Sequence, residues 1–338
     1  MKLSIVAAVM AACSTVLSSP VYEKFRHGPL NVTTNGTTVW NRSNHSNVSG
    51  GAAGAIGTKL KVFITGGSVP LSNTSQFPNV EWQTLFNASS ALNITQLYNV
   101  ASSVNQTLQD DTFSGVVIVA NKPSIEALGF FSAVVFDTNK TVVVTEDPAS
   151  GIPVAKDFGS QFRGALTVDK KSGLIYSGVF APAERGAAGV PVGLLHETQV
   201  NWFMEPSLPL LIDTTSPIRV TYSNFTTTNV SNNSPVVPII FDGNFSQSIV
   251  NRLAGSINGL VVAVPDFVSN SSTSTLSSTQ LPVVFAGVSS GIPFVAGDDV
   301  PSDAIAAGYL SPIKSQVLVS IAAANNVSSP ASVDQLFP

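Results

Sequence analysis

The chain has 338 residues, only 11% of them charged, and a formal net charge of −4. With 44% hydrophobic residues it can bury a large core, and without a basic excess it lacks the footprint of a nucleic-acid binder. Its single cysteine, Cys13, falls in the first apolar run, so the rest of the chain holds no disulfide and no thiolate nucleophile or metal ligand.

Residues 1–19 read as a secretory signal. Lys2 supplies the positive start, residues 5–12 are mainly apolar, and Leu17-Ser18-Ser19 offers small residues for cleavage. That run is too short to span a bilayer, so the expected product is secreted, extracellular or in a cell wall, without a membrane partner. Asn-x-Ser/Thr sequons agree. Five crowd together at Asn31, Asn35, Asn41, Asn44 and Asn47, and others follow at Asn73, Asn87, Asn93, Asn105, Asn139, Asn224, Asn229, Asn232, Asn244, Asn270 and Asn326. The expectation is a glycoprotein kept in solution by sugar and hydroxyls rather than by ion pairs. Residues 20–58, rich in Asn, Thr, Ser and Gly, read as a flexible, sugar-coated lead segment that cannot bury a core.

From Leu60 the pattern becomes alternating strand and helix. Strands are expected at 60–64, 116–120, 142–145 and 174–180. Tyr98, Ala101, Val104 and Leu108 recur at helical spacing, and 125–135 reads as a nearly all-apolar helix. Residues 191–204 read as a hairpin. Pro206, Pro209 and Pro217 mark a linker, and 222–234 a loop near a domain boundary. A second unit follows, with strands at 236–241, 259–264 and 281–286 and a helix face at Ile249, Leu253 and Ile257. Residues 267–280 read as a Ser/Thr loop. A last helix begins after Ser311-Pro312, with proline suited to a first turn, and carries Ile313, Val317, Ile321 and Ala324 on one face. This is an α/β pattern with a mostly parallel, covered sheet in two domains, 59–205 and 235–338, joined by a linker at 206–234.

The first strand runs straight into Thr65-Gly66-Gly67-Ser68. A strand feeding a hydroxyl residue and two glycines places that hydroxyl at the carboxyl edge of a sheet, where open α/β sheets bind ligands, and the glycine N–H groups can face an oxyanion. By itself so short a motif is also a plain turn after a strand. It resembles the first signature of the bacterial-type L-asparaginase/glutaminase family, a strand ending in Thr-Gly-Gly-Thr-Ile-Ala. The C-terminal stretch strengthens the resemblance. Leu310, Pro312, Lys314 and Phe337 hold the positions of that family's closing Leu-x-Pro-x-Lys pattern, long apolar helix and terminal Phe. The hairpin region from Val190 and the strands beginning at Gly259 and Leu281 are similar in content and order.

The resemblance implies a parallel-sheet N-terminal domain, a smaller α/β domain, homo-oligomeric assembly and cofactor-free hydrolysis of L-asparagine to aspartate and ammonia. It assigns Thr65 as nucleophile, Gly66, Gly67 and Ser68 as substrate-binding and oxyanion elements, and Lys170, in Val168-Asp169-Lys170, as the supporting cation. The alternative for Lys170 is a solvated turn lysine beside Lys171. The family's second signature, His-Gly-Thr-Asp-Thr, corresponds here to residues 120–124. Lys122 stands where the second catalytic threonine belongs and Pro123 where the aspartate belongs. Lysine cannot accept a substrate ammonium, and proline brings neither carboxylate nor N–H. Lys122 is therefore carried as a substrate-contact position of altered chemistry. Residues 70–93 contain no lid tyrosine, and no Ser-x-Asp clamp is recognisable.

Other chemistries have less behind them. His196, inside the hairpin, has no nucleophile elbow nearby, and Asp298-Asp299 reads as a loop pair. Asp110, Asp111, Glu146 and Asp147 are the carboxylates nearest a candidate edge. No metal or cofactor is implied. Three functions stay open: an asparaginase-like amidohydrolase with a degenerate site, a catalytically dead relative acting by binding as a secreted glycoprotein, and a hydrolase of another amide or ester using Thr65.

Overall fold

The computed structural model describes residues 59–67, 69, 77–183, 188–221, 234–265, 280–288 and 291–338. They all lie in one compact unit of the chain. The signal and lead segments, Ser68, the loop at 222–233 and most of the 267–280 loop lie outside the described residues.

Two sheets organise the molecule. The larger has eight strands in the order β2-β1-β3-β4-β5-β6-β7-β8. Its parallel part comprises β1 (Lys59–Gly66), β2 (Val80–Ala88), β3 (Phe113–Val119), β4 (Thr141–Thr145) and β5 (Ala165–Val168). The rest is antiparallel: β6 (Leu174–Ser177), β7 (Pro191–His196) and β8 (Gln199–Trp202). The smaller sheet, all parallel, runs β12-β11-β10-β9, with β9 (Ile239–Phe241), β10 (Leu260–Pro265), β11 (Val283–Val288) and β12 (Ile305–Ala306). The α/β reading with a mostly parallel large sheet holds.

The central strands are apolar throughout because both of their faces are covered. Alternation then sends successive side chains to opposite layers. Val116, Ile118, Val142 and Val144 enter one core, whereas Val117, Val119 and Val143 enter the other. The first core is roofed by α1 (Ile94–Gln109) and α2 (Lys122–Val135), the second by α3 (Pro148–Lys156) and the β7–β8 hairpin. Val261 and Val284 of the smaller sheet, and Val317, Leu318 and Ile321 of α6 (Pro312–Ala324), belong to the same core as Phe63 and Phe131. One hydrophobic core therefore serves both sheets.

Several expectations shift. Residues 174–180 form only a four-residue strand, followed by a 3-10 turn at Gly178–Phe180. The stretch at 206–217 is no bare linker, because Leu211 and Ile212 are buried against the shared core. It leads into α4 (Pro217–Thr221), whose Ile218 and Arg219 are also buried. The helix marked by Ile249 and Leu253 is α5 (Gln247–Leu253) and stops before Ile257. Elements that hydrophobic pattern did not reveal include β2, α3, β5 and β12. The last helix begins as expected, with Ser311 capping it and Pro312 at its start. It is buried on most sides rather than along one stripe, since both sheets' cores pack on it. A short α7 (Pro330–Asp334) closes the chain.

Candidate functional site

The order β2-β1-β3 means that the chain leaves β1 in one direction and returns past it in the other. The carboxyl ends of β1 and β3 adjoin at this reversal, the place where open α/β sheets form ligand crevices. Thr65 and Gly66 close β1 there, and Ala120, Asn121 and Lys122 follow β3.

The end of β1 is closely packed. Thr65 is fully buried and its Oγ1 donates to the Val119 carbonyl at 3.0 Å, so the hydroxyl is spent on the neighbouring strand. A Cβ added to Gly66 would lie 2.6 Å from the Ala88 carbonyl oxygen and 3.3 Å from the Asn121 nitrogen. Glycine is required there because the end of β2 lies directly against it. Gly67 has φ +84, the left-handed region, and packs against the Ala120 carbonyl.

Asn121, which belongs to no recognisable motif, fastens the end of β2. It precedes α2 in the N-cap position without capping it. Its Nδ2 instead donates to the carbonyls of Ala88 and Ser90, both at 2.8 Å, while its Oδ1 accepts from the Ser124 hydroxyl. Ser124 Oγ in turn accepts the Leu92 N–H at 3.2 Å. The β2–α1 connection is thus pinned across the carboxyl edge by the start of α2. An asparagine immediately before Lys-Pro at a helix start was the signal available for it. Lys122 itself is exposed in the first turn of α2, followed by Pro123.

Lys170 is not brought to Thr65 by any contact among the described residues. It is more than half exposed, and its Nζ lies 3.8 Å from Asp147 Oδ2. Its loop is held by Asp169, whose carboxylate accepts from the Ser172 hydroxyl at 2.5 Å and from the Ser172 N–H at 3.0 Å. Burial raises the Asp169 pKa, but those bonds and the Lys171 N–H outweigh it and hold the group below its ordinary value. This is the geometry of a solvated hairpin turn.

The four carboxylates do not share an edge. Glu146 and Asp147 follow β4 at the carboxyl end, where Asp147 caps α3. Asp110 and Asp111 precede β3 at the amino end, with Asp111 within 3.7 Å of Lys140 Nζ. Residue order alone does not orient the strands, so these two pairs look alike in the sequence. His196 is exposed at the end of β7, and Asp298 and Asp299 lie in an exposed 3-10 turn. No three His, Cys, Asp or Glu residues among those described converge as a metal site, and no described helix is long and apolar enough to cross a membrane.

A second polar cluster lies where α2 meets α6. Ser311 Oγ donates to Glu126 Oε1 at 2.5 Å, and Lys314 Nζ donates to the Ala181 carbonyl at 2.6 Å. All three side chains are nearly sealed from solvent. Burial depresses the Lys314 pKa to about 8, with the Glu126 charge opposing the shift. Lys314, Ser311, Tyr309 and Phe180 line a cleft of about 10 Å³, room for about one water. The cluster joins the larger sheet's helix layer to the helix that covers the smaller sheet.

The fold and this edge define an α/β protein whose switch-point edge is closely packed by its own backbone. No family model matches the chain. It is 43% identical over 357 aligned positions to protein YGP1 of Saccharomyces cerevisiae, the alignment covering the whole of both chains. It is 40% identical to the sporulation-specific wall maturation protein of the same yeast, across all of this chain and 99% of the relative. The chain belongs to the family of these two proteins, and its location is extracellular or in the cell wall.

Proposed function

We propose that this chain is a non-catalytic wall glycoprotein on an asparaginase/glutaminase-like scaffold. Support for the scaffold comes from Thr65-Gly66-Gly67 at the switch point and from the closing Leu310, Pro312, Lys314 and Phe337 positions. The two sheets, before and after residues 203–238, suit the two-domain division of that family. The observation that carries the non-catalytic reading is the Thr65 hydroxyl, buried and donating to Val119. A threonine nucleophile needs an approachable hydroxyl, a base and an oxyanion site. Here the hydroxyl is committed, the space over Gly66 holds the Ala88 carbonyl, Lys170 pairs with Asp147, and Lys122 and Pro123 replace the second signature. The wall role is extended from the wall maturation protein, whose name states it.

The test is ammonia release from L-asparagine and L-glutamine by the secreted protein beside a Thr65→Ala control. The expected result is no release above the control from folded protein at high concentration. Release that disappears in Thr65→Ala would restore the hydrolase reading. The wall role predicts that cells lacking the chain assemble walls more sensitive to wall-digesting enzymes. Unchanged sensitivity in vegetative and sporulating cells would remove it.

A further inference from the structure

The amino edge of the larger sheet, opposite the edge of Thr65, carries an aromatic patch. β5 starts there after residues 157–164, and the antiparallel β8 ends there before residues 203–209. Buried polar contacts bolt the two segments together. The Arg163 guanidinium, only 3% exposed, donates to the carbonyls of Gly159 at 2.6 Å, Met204 at 2.7 Å and Glu205 at 3.3 Å. It also stacks on Trp202, 4.1 Å from the ring centroid, and Trp202 Nε1 donates to Asp157 Oδ1 at 2.8 Å. Phe158 and Phe162 stand next in sequence to Gly159 and Arg163, and Phe203 and Met204 follow Trp202. All four side chains are about half exposed. Phe162 has φ +60, the left-handed region that a bulky residue enters at a cost. Its backbone is held there by the Arg163 anchor and by its own N–H, which donates to the Asn139 carbonyl at 3.4 Å. Strain of this kind persists where the surroundings over-determine it, and it gathers at binding sites. Glycine would adopt that backbone freely, so the backbone alone does not call for phenylalanine.

We propose that this patch binds β-linked glucan of the wall. Charge selects a neutral ligand, because Arg163 is sealed and spent on carbonyls and is not offered to an anion. Ring chemistry selects the sugar. β-Linked glucose carries its ring substituents equatorially, which leaves flat C–H faces, and these lie against the electron-rich faces of aromatic rings. The extracellular or wall location sets the chain among such polymers. Because buried bonds already hold both segments, binding has little backbone left to order. The patch lies at the opposite edge from Thr65, so the proposal goes beyond the non-catalytic reading and is independent of it. The ammonia assay reads one edge and glucan retention the other.

The experiment is retention of the full secreted chain on insoluble β-linked glucan particles, with α-linked glucan granules as the comparison. The expected result is retention by the β-linked material, weakened about tenfold when Phe158→Ala and Phe203→Ala are combined. Phe162→Gly separates binding from folding. It removes the ring and the backbone strain together, so retention falls while the urea midpoint holds or rises. Phe294→Ala removes a more exposed ring on the smaller unit and is expected to leave retention unchanged. No retention, equal retention by both glucans, or an equal loss in Phe294→Ala would overturn the site. A lowered midpoint in Phe162→Gly would make that ring a packing element and overturn its role. Sedimentation covers the remaining occupant: a dimer that the double variant dissolves, with glucan retention unaltered, would give the patch to a second copy of the chain instead.

Discussion

Thr65 shows how one hydroxyl separates a catalytic edge from a structural one. The sequence places it at the end of a strand before two glycines, and the same residues serve equally to stitch β1 to β3. Its bond to Val119 is a buried hydroxyl–carbonyl bond, worth about 1 kcal/mol net. Thr65→Val is therefore expected to lower stability by about 1–2 kcal/mol in urea unfolding. Gly66→Ala is the sharper test of the close packing at the end of β1. Its Cβ would meet backbone rather than a side chain that can turn away, so a loss of about 1–3 kcal/mol is expected by the same measurement. A neutral Gly66→Ala would mean that the space is open. Lys314 gives a pH signature. Its folded pKa, about 8, lies below its ordinary 10.5, so between these values the unfolded chain holds more protons and stability rises with pH. The burial cost is fully present below pH 8 and is relieved as pH climbs toward 10.5. In Lys314→Met this contribution vanishes, and denaturation midpoints at pH 7, 8.5 and 10 check the difference in slope against the wild type.

At the level of elements, the parallel strands were legible because each is a short run of β-branched residues bounded by polar turns. β2 was not. Its sequence, VEWQTLFNA, half-exposes most positions because it is an edge strand, and a bulge between its register with Ile64 and Gly66 breaks the alternation. The stretch read as a linker, 206–234, carries the cap of α2. The buried Arg219 guanidinium donates to the carbonyls of Ala133, Val134 and Phe136 and to Ile212, satisfying groups that a helix end leaves orphaned. Burial lowers the Arg219 pKa and Asp137 opposes that shift. Nothing in a Pro-x-Arg sequence announces a cap for carbonyls some eighty residues earlier. Arg219→Ala is expected to cost about 3 kcal/mol, read as a lowered urea midpoint with an unchanged slope.

For the molecule as a whole, the shared core is the consequential feature. Phe63 and Val116 of the larger sheet and Val261, Val284 and Leu318 of the smaller unit belong to one cluster, and Glu126, Ser311 and Lys314 tie the helices between them. Units that share a core lose it together. A single calorimetric transition, with equal van't Hoff and calorimetric enthalpies, is expected for the secreted chain, and two resolved transitions would contradict it. The sequence by itself determined the α/β class, most central strands, the start of the last helix and the secreted character, because periodicity, capping residues and sequons are local signals. Only the tertiary structure decided the fate of the site. Which carboxylates share an edge depends on strand direction, and whether the Thr65 hydroxyl is free depends on where a distant carbonyl, Val119, comes to rest. Both are set by packing between segments far apart in the chain, which no local pattern encodes.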